Sequence, residues 1–415
     1  MAIALDIQPE AGELYAAYAS QVFVLSTSVE ADRPPAALEV IVRNNGFAIE
    51  TLYYEAIEID AGSTFNVCRF KLDIKVVVQG LFNPASMLPE TFGINGVSVF
   101  PNETAVITCD FTAWLPNAYG LLVRDDGNTE VSLPYMAINA VRYENESPSL
   151  AAYVSATDRK FLTSKPLVGW TELGASEFLY CFNPSGYAWS WIFEFFSADG
   201  TQLSLCRVSQ PSTSNKIVRK GVGAKNVANT SFTVITESGL GAGLIASVAY
   251  YEVYASVSTD GSTSMTHRRR YYVDRSPACV EYRLHFLNRF GVWDYLPILS
   301  QKSNTIKTLG DPYEAAVADD FTESSVKAHQ RNRGQVRADK GFEVEVRGVF
   351  DDTALWLREM ALSPMVFIEE RQAGASPSVN GLRYPVVVRD GEYFISERRF
   401  EFSVFYSTQL YSQRT

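Results

Sequence analysis

The chain has 415 residues, of which 47% are hydrophobic and 20% are charged, and its formal net charge is −11. A hydrophobic content of this size can fill a core, so the composition excludes global disorder. Because Asp and Glu outnumber Lys and Arg, 47 to 36, the charge disfavours general nucleic-acid binding and attachment to anionic membranes, which both call for basic surfaces. At roughly 150 residues per domain, the length predicts about two to four domains rather than a single core.

Aromatic residues are abundant, with 25 Phe, 22 Tyr and 6 Trp. These residue types favour strands and contact surfaces over solvated helices. Hydrophobic alternation with a period of two recurs along the chain, and we find no fixed-length repeat and no coiled-coil heptad. The predicted fold class is therefore all-β dominated, with antiparallel β-sandwich or barrel domains in series and a short helix in the C-terminal domain.

Cysteine and histidine usage argues against a disulfide framework and a metal site. The five cysteines are widely spaced and form no CxxC pair, so we expect buried free thiols. The three histidines show no ligand spacing, so we expect no zinc site and no cofactor.

No run of about 18 apolar residues occurs, which predicts no membrane-spanning helix. Residues 1–10 lack a basic stretch followed by an apolar one, so we expect synthesis in a cytoplasm without a secretory signal.

The first predicted domain, residues 1–155, is a β-sandwich or barrel. From Phe70 to Val78 apolar residues alternate with mostly charged ones, which is typical of a half-buried strand. Residues 38–43 and 47–54 flank Asn44-Asn45-Gly46. Asn-Gly tolerates positive φ, so this segment predicts a β-hairpin.

The second predicted domain, residues 156–265, is a small immunoglobulin-like β domain. Its strands are expected at residues 178–182, 189–196, 202–208 and 250–258. Trp189 and Trp191 share one face of their strand, since successive side chains alternate.

The third predicted domain, residues 266–415, is a β domain with two additions. Residues 303–335 are polar and weakly patterned, which predicts a loop or arm that becomes ordered on a neighbouring molecule. Residues 353–362 are predicted to form a short helix that Asp352 caps. Asp390-Gly391 is expected to form a tight turn between strands.

We find no catalytic motif and expect no enzyme. The sequence contains no GxSxG, Walker A, HExxH or EF-hand pattern. His285 lies between apolar residues in a predicted strand. A hydrogen-bonded structural histidine is the favoured interpretation there, and a catalytic base is the alternative, because no nucleophile motif accompanies it.

The densest basic cluster is His267-Arg268-Arg269-Arg270. On a strand, Arg268 and Arg270 would share one face, and His267 and Arg269 the other. These two arginines are candidate interaction residues for an acidic partner or nucleic acid. The alternative is that they form salt bridges with acidic neighbours within the chain.

Tryptophans supply the remaining candidate interaction residues. Trp189, Trp191 and Trp293, together with Tyr187, could stack on sugar rings of a glycan. The alternative is that Trp189 and Trp191 face a hydrophobic core.

Residues 282–295, with the sequence YRLHFLNRFGVWDY, resemble a "(Y/V)xxxFLNRxGxWD" stretch of virion proteins from tailed phages that infect Bacteroidota. In this segment a strand is predicted to end at Leu287, residues 288–291 to turn, and Trp293 to anchor the exit. The C-terminal arrangement is also similar: a short helix, an apolar strand at 365–368, a YPVVVRDG hairpin at 384–391, and a last amphipathic strand.

The resemblance implies a structural tail, baseplate or neck protein located in the virion, without catalytic residues to carry over. Its partners would be copies of itself, in a ring or trimer, and other virion proteins, each standard interface burying roughly 1,600 Å². The alternative is a receptor- or carbohydrate-binding β-sandwich of a tail fibre or adhesin, with a host-surface glycan or receptor as partner. A glycan hydrolase is disfavoured, since the long repeats of a β-helix are not found.

Overall fold

The structure is a computed structural model. It describes residues 3–30, 36–61, 64–82, 97–99, 104–142, 146–184, 188–210, 213–237, 244–275, 282–298, 301–309, 312–314, 331–333, 337–370, 382–407 and 411–412. The chain divides into two compact units. The first comprises Met1–Thr163, Leu167–Asp274 and Arg289–Val292, and the second Ser164–Pro166, Arg275–Asn288 and Trp293–Thr415. The three predicted domains, with boundaries after residues 155 and 265, stay a prediction.

The prediction of an all-β dominated chain is confirmed. The sheets are mainly antiparallel, and the helices are short. The α-helices of the described residues are α1 (Lys75–Gln79), α2 (Ala224–Ala228), α3 (Leu244–Ser247) and α4 (Asp351–Leu362). None of them combines the length and the apolar character needed to span a lipid bilayer.

The first part of unit one contains two sheets packed face to face. Its strands are β1 (Ala4–Ile7), β2 (Leu14–Ala16), β3 (Val22–Glu30), β4 (Ala37–Asn44), β5 (Phe47–Glu55), β6 (Glu58–Asp60), β7 (Phe65–Asp73), β9 (Thr104–Pro116), β10 (Leu122–Val131) and β11 (Tyr135–Ile138). Another strand, β8 (Val97–Val99), precedes β9 in the chain but joins a sheet of the second part. One sheet has the order β1-β3-β7-β6, and the other has the order β2-β11-β9-β4-β5 with β10 also paired to β9. Side chains such as Phe23 and Phe70 from the first sheet share a core with Val40 and Phe111 from the second. This arrangement is a β-sandwich.

The predicted hairpin of this sandwich is confirmed. β4 and β5 pair antiparallel and are joined at Asn45 and Gly46, whose φ angles are +50° and +83°. Both residues tolerate positive φ, which a tight two-residue turn requires.

The strand predicted from Phe70 to Val78 is wrong in its second half. β7 ends at Asp73 and α1 follows at Lys75. The Asp73 carboxylate accepts hydrogen bonds from the backbone N–H groups of Lys75, at 3.0 Å, and Gln21, at 2.9 Å. A side-chain acceptor at this point stabilises the turn out of the strand, and a period-two pattern does not reveal it.

The second part of unit one is another sandwich. Its strands are β12 (Val168–Glu172), β13 (Phe178–Asn183), β14 (Trp189–Phe196), β15 (Gln202–Gln210), β16 (Lys216–Gly221), β17 (Thr233–Glu237), β18 (Tyr250–Ser256) and β19 (Arg269–Asp274). A six-stranded sheet has the order β12-β19-β18-β14-β15-β17, and a smaller one the order β13-β16-β8. β12 and β19 run parallel, whereas the other neighbours of the six-stranded sheet run antiparallel. Side chains of both sheets, including Trp191, Val253, Leu179 and Val218, fill one core.

Unit two is built on a large sheet covered by α4. Its strands are β20 (Tyr282–Leu287), β21 (Trp293–Ile298), β22 (Gln301–Leu309), β23 (Pro312–Glu314), β24 (Arg331–Arg333), β25 (Arg337–Arg347), β26 (Val366–Glu370), β27 (Leu382–Phe394), β28 (Arg399–Tyr406) and β29 (Tyr411–Ser412). The order is β21-β20-β26-β27-β28-β25-β22, and β29 also pairs with β25. Trp356, Leu357 and Met360 of α4 pack in a core with Leu284 and Phe286 of β20.

Three local predictions in this unit need correction. α4 begins at Asp351, so Asp351 and Asp352 lie in its first turn, and neither side chain caps it. Their negative charges stabilise the helix, because they lie at its N-terminus, the positive end of the helix dipole. Asp390, at φ +58°, belongs to an irregularity within β27, which continues to Phe394, so the predicted tight turn is absent there.

Part of the predicted polar arm, residues 303–335, is regular. β22 pairs antiparallel with β25, and β23 pairs with β24. β-branched residues at Thr305, Ile306 and Thr308 suit a strand even though their neighbours are polar. The rest of the arm lies outside the described residues.

The cysteines Cys68, Cys109, Cys181 and Cys206 are buried free thiols, as predicted. Cys279 lies outside the described residues, as does Tyr187. Burial raises the pKa of Cys109 to about 12 and that of Cys181 to about 11, because a low-dielectric surrounding disfavours the thiolate.

Candidate interaction surface

The predicted basic cluster lies at the start of β19, on the outer face of the six-stranded sheet. Arg268 is exposed and Arg270 half-buried, whereas Arg269 between them is buried. The guanidinium of Arg269 lies 5.4 Å from the centre of the Tyr271 ring. The backbone is extended here, so neighbouring side chains point to opposite faces as the sequence predicts.

Two glutamates on adjacent strands pair with the outward-facing arginines. Nη2 of Arg270 lies 2.6 Å from Oε1 of Glu252, its direct cross-strand neighbour on β18. Nη1 of Arg268 lies 2.8 Å from Oε2 of Glu194 on β14 and 3.4 Å from Oε2 of Glu252. The hydrogen bonds to Glu252 and Tyr272 raise the pKa of Arg270.

Each of these guanidinium groups also lies over a tyrosine ring. Arg268 is 4.3 Å from the centre of the Tyr254 ring, and Arg270 is 4.6 Å from that of Tyr250. The Tyr254 hydroxyl donates a hydrogen bond of 2.6 Å to Glu194. Burial, followed by this hydrogen bond, raises the pKa of Tyr254. Cation–π contacts and ion pairs together hold both arginines against the sheet, which favours the salt-bridge interpretation of the cluster over an open basic patch.

A row of four aromatic rings crosses the same face beside the charged groups. Phe196, Tyr250, Tyr272 and Trp170 are consecutive cross-strand neighbours on β14, β18, β19 and β12. Their ring centres are 4.8, 5.4 and 5.1 Å apart in that order. Side chains stand nearly perpendicular to a sheet, so rings at this spacing cover one another's faces.

Trp170 ends this row on the edge strand of the sheet. One side of its ring contacts Tyr272, at an interplanar angle of 34°. The residue is 68% exposed, whereas the three rings behind it are half-buried. The open part of the Trp170 ring is therefore the accessible end of the aromatic row.

The exposed side chains along this edge are apolar. Leu167 is 48% exposed, Val168 57% and Leu173 45%, alongside Trp170. Within the described ranges, no strand pairs with the free side of β12. Proteins usually protect such edges with charged residues, proline or a covering segment. β12 contains no lysine and no proline, and its one charged residue is Glu172 at the end of the strand. We call these four residues, together with the side of β12 that faces away from β19, the β12 edge.

The inner face of β12 is anchored to the protein. The Thr171 hydroxyl accepts a hydrogen bond of 3.0 Å from the backbone N–H of Ala224, the first residue of α2. The β12 edge is thus held from behind while its outer side stays accessible.

A second apolar surface lies at the tip of the β9–β10 hairpin. Tyr119 is 89% exposed, and Leu121 is also exposed. Asn117 fixes the tip, because its Oδ1 accepts hydrogen bonds from the backbone N–H groups of Tyr119, at 2.9 Å, and Leu121, at 3.1 Å. Because the turn is already ordered by its own hydrogen bonds, a partner that binds these side chains would cause little further loss of conformational entropy.

The tryptophans singled out from the sequence lie inside the protein. Trp189 and Trp191 are buried in the core of the second sandwich, with their ring centres 5.2 Å apart. The Trp191 ring stacks on Phe161 at 5.9 Å and 8°. Trp293 is buried in unit two and meets Phe367 edge-on at 5.8 Å. Rings packed in this way offer no open face to a sugar.

The FLNRFGVW segment has the predicted local structure. β20 ends at Leu287, a turn follows, and β21 begins at Trp293. Gly291 has a φ of +72°, and a Cβ there would lie 2.1 Å from the backbone oxygen of Asn139. Only glycine fits this position without displacing the backbone.

His285 lies in a buried, hydrogen-bonded setting in unit two. Its Nε2 is 3.0 Å from Oε2 of Glu369, and its ring centre is 5.6 Å from that of Tyr295. Arg283 Nη1 lies 3.5 Å from the other oxygen of Glu369. This arrangement fits the structural interpretation of His285.

Trp170 was not among the interaction residues predicted from the sequence. Val168, Trp170 and Glu172 alternate with Gly169 and Thr171, a period-two signal that was present in the sequence. The sequence gives no sign that β12 pairs in parallel with β19 at the edge of the sheet, because the two strands are about a hundred residues apart in the chain.

Comparison with known proteins assigns no family: neither the protein-family models nor the curated proteins give a match. Over the described ranges, no three His, Cys, Asp or Glu side chains come together in a group that could hold a metal ion.

Proposed function

We propose that the chain is a structural component of a tailed-phage virion, a tail, baseplate or neck protein that assembles with copies of itself and neighbouring virion proteins. The exposed β12 edge carries this proposal. An accessible strand with four exposed apolar side chains on it or directly beside it readily pairs with another chain. We therefore expect a second protein chain to cover the β12 edge when the protein is functional.

The second apolar surface supports the same function. The β9–β10 tip presents Tyr119 and Leu121 on a hydrogen-bonded turn, on a different sheet from the β12 edge. Two separate contact surfaces suit a subunit with more than one neighbour in an assembly. The sequence resemblance at residues 282–295 to phage virion proteins is the reason for proposing that this assembly is a virion.

Mass spectrometry of gradient-purified virions tests the proposal. We expect peptides of this chain in a fixed ratio to the major capsid protein in every preparation. Virions that carry Trp170→Lys should contain less of the chain, whereas virions that carry Val234→Lys, a charge on the opposite edge strand β17, should contain the normal amount. Absence of the unmodified chain from infectious particles would refute the proposal.

A receptor- or carbohydrate-binding role is the second candidate, and the accessible Trp170 ring is the observation that favours it. Sugars stack on tryptophan faces of this kind. A glycan array with the whole protein tests it, with Trp170→Ala as the variant that should lose binding and Trp293→Phe as a buried control. Its neighbours Leu167, Val168 and Leu173 are apolar, whereas sugar sites need hydrogen-bonding groups around the stacking ring, so we rank this role second.

A further inference from the structure

The backbone of β12 has hydrogen-bonding groups directed at its free edge. Leu167 accepts a hydrogen bond of 2.8 Å from the N–H of Arg270 on β19. Residues alternate along a strand, so Leu167, Gly169 and Thr171 face β19. The N–H and C=O groups of Val168 and Trp170 then face outward, where another strand can pair with them. At the end of the strand, the C=O of Glu172 accepts a hydrogen bond of 2.9 Å from the N–H of Ala175.

The strand is self-complementary when it is read in reverse about Trp170. In that register Trp170 faces its own copy, Val168 faces Glu172, and Leu167 faces Leu173 just beyond the strand ends. All five residues of β12 are paired, and the outward N–H and C=O groups of Trp170 meet those of its copy. No other antiparallel register of two β12 strands uses the whole strand.

Charge favours the antiparallel arrangement. A parallel, in-register pair would place Glu172 beside its own copy, and like charges directly opposite each other are destabilising. In the antiparallel register the Glu172 of a second copy lies beside Val168, whose neighbour on β19 is Arg270.

The aromatic row gives the same register a hydrophobic centre. The Trp170 ring would meet the Trp170 ring of the second copy, so the row of Phe196, Tyr250, Tyr272 and Trp170 would continue across the contact. Offset or edge-to-face packing of the two rings would add to the stabilisation from the apolar area that the contact buries.

We infer that the β12 edge pairs with the β12 edge of a second copy of this chain, antiparallel and about a two-fold axis at Trp170. The contact joins two six-stranded sheets into one continuous sheet and is isologous. It has a different symmetry from the ring or trimer predicted from the sequence, so it does not require the virion role and can hold if that role fails.

Disulfide cross-linking of the whole protein tests the register. We expect Val168→Cys and Glu172→Cys to cross-link when the two variants are mixed under mild oxidation, while each alone stays uncross-linked. Trp170→Cys should cross-link with itself, since directly paired residues have Cα atoms about 5.5 Å apart, which a disulfide can span. The unmodified chain is the control for its own cysteines. Self-cross-linking of Val168→Cys, or none in the mixture, would overturn the register.

Light scattering over a range of protein concentrations tests the contact itself. We expect a reversible dimer that Trp170→Lys and Val168→Lys each convert to monomer, with circular dichroism confirming that the variants fold. Val234→Lys on β17, a matched change on the opposite edge, should leave the dimer intact. A monomer at every concentration, or a dimer lost in Val234→Lys, would overturn the inference. The virion measurement above is separate, so either conclusion can fail alone.

Discussion

Lys220 offers a quantitative test of the second sandwich. The residue lies on β16 and is fully buried, facing the core. Its Nζ donates a hydrogen bond of 2.9 Å to the Thr230 hydroxyl and lies 5.6 Å from the centre of the Phe193 ring. Desolvation lowers the pKa of Lys220 from 10.5 to about 7, because burial disfavours the charged amine.

This pKa shift sets the expected effect of Lys220→Met. A shift from 10.5 to about 7, at 1.36 kcal/mol per pH unit, corresponds to at most about 5 kcal/mol of destabilisation by the lysine, nearly all of it present at neutral pH. Met has a similar length and no charge, but it loses the hydrogen bond to Thr230, which contributes about 1 kcal/mol. We therefore expect Lys220→Met to raise the free energy of unfolding by about 2–4 kcal/mol at neutral pH.

The sign of the pH dependence follows from the lowered pKa. Below pH 7 both the folded and the unfolded chain bind the proton, and the destabilisation is complete. Between about pH 7 and pH 10.5 only the unfolded chain keeps it, so the stability of the natural protein rises with pH relative to the variant. Above the unfolded pKa the destabilisation is gone, and the advantage of Lys220→Met should disappear.

Urea unfolding of both proteins across this pH range measures the difference directly. Lys71→Met, at an exposed position on β7, is the matched control, and its difference from the natural protein should stay flat with pH. A Lys220→Met difference that is equally flat would refute the assignment of a lowered pKa to Lys220. Titrations elsewhere in the chain cancel, since they are common to both proteins.

Two further predictions concern the turn at Gly291 and the buried thiols. Gly291→Ala should lower the free energy of unfolding by at least about 2 kcal/mol in urea, because the new Cβ would overlap the Asn139 backbone oxygen. Gly12→Ala is the control, since Gly12 has the same φ of +72° and open space around it. Equal losses in the two variants would contradict the overlap. The buried thiols Cys109 and Cys181 should not react with a thiol reagent at pH 8 until urea unfolds the chain, because their pKa values are raised to about 12 and 11. Rapid labelling of either cysteine in the folded protein, identified by peptide mass spectrometry, would contradict their burial.

Much of the fold could be predicted because its signals are local. The Asn45-Gly46 hairpin needs only two adjacent residues that tolerate positive φ, and α4 needs only one apolar stripe and a proline after its end. Asp73 marks the limit of such signals. Its hydrogen bond partner Gln21 directly precedes β3, the neighbouring strand of the same sheet, and is about fifty residues away in the chain. A period-two pattern within β7 therefore could not show where the strand stops.

The candidate surface was less predictable, because exposure depends on partners that are distant in the sequence. Trp191 and Trp170 both occur in alternating strand patterns. Trp191 lies on a strand with neighbours on both sides and faces the core, whereas Trp170 lies on the edge strand and faces outward. Which tryptophan stays accessible is decided by strand order. The pattern at Arg268 and Arg270 did predict a shared face, but only the registers of β14, β18 and β19 show which glutamates reach them.

The parallel pairing of β12 with β19 also sets the order in which the sheet can be completed. β12 comes first along the chain, yet its only strand partner among the described residues is the last strand of that sheet, about a hundred residues later. Closing so long a loop is slow and is rewarded only once the antiparallel strands are in place. A newly made chain can therefore form the β12 edge only after the antiparallel strands of this sheet have assembled.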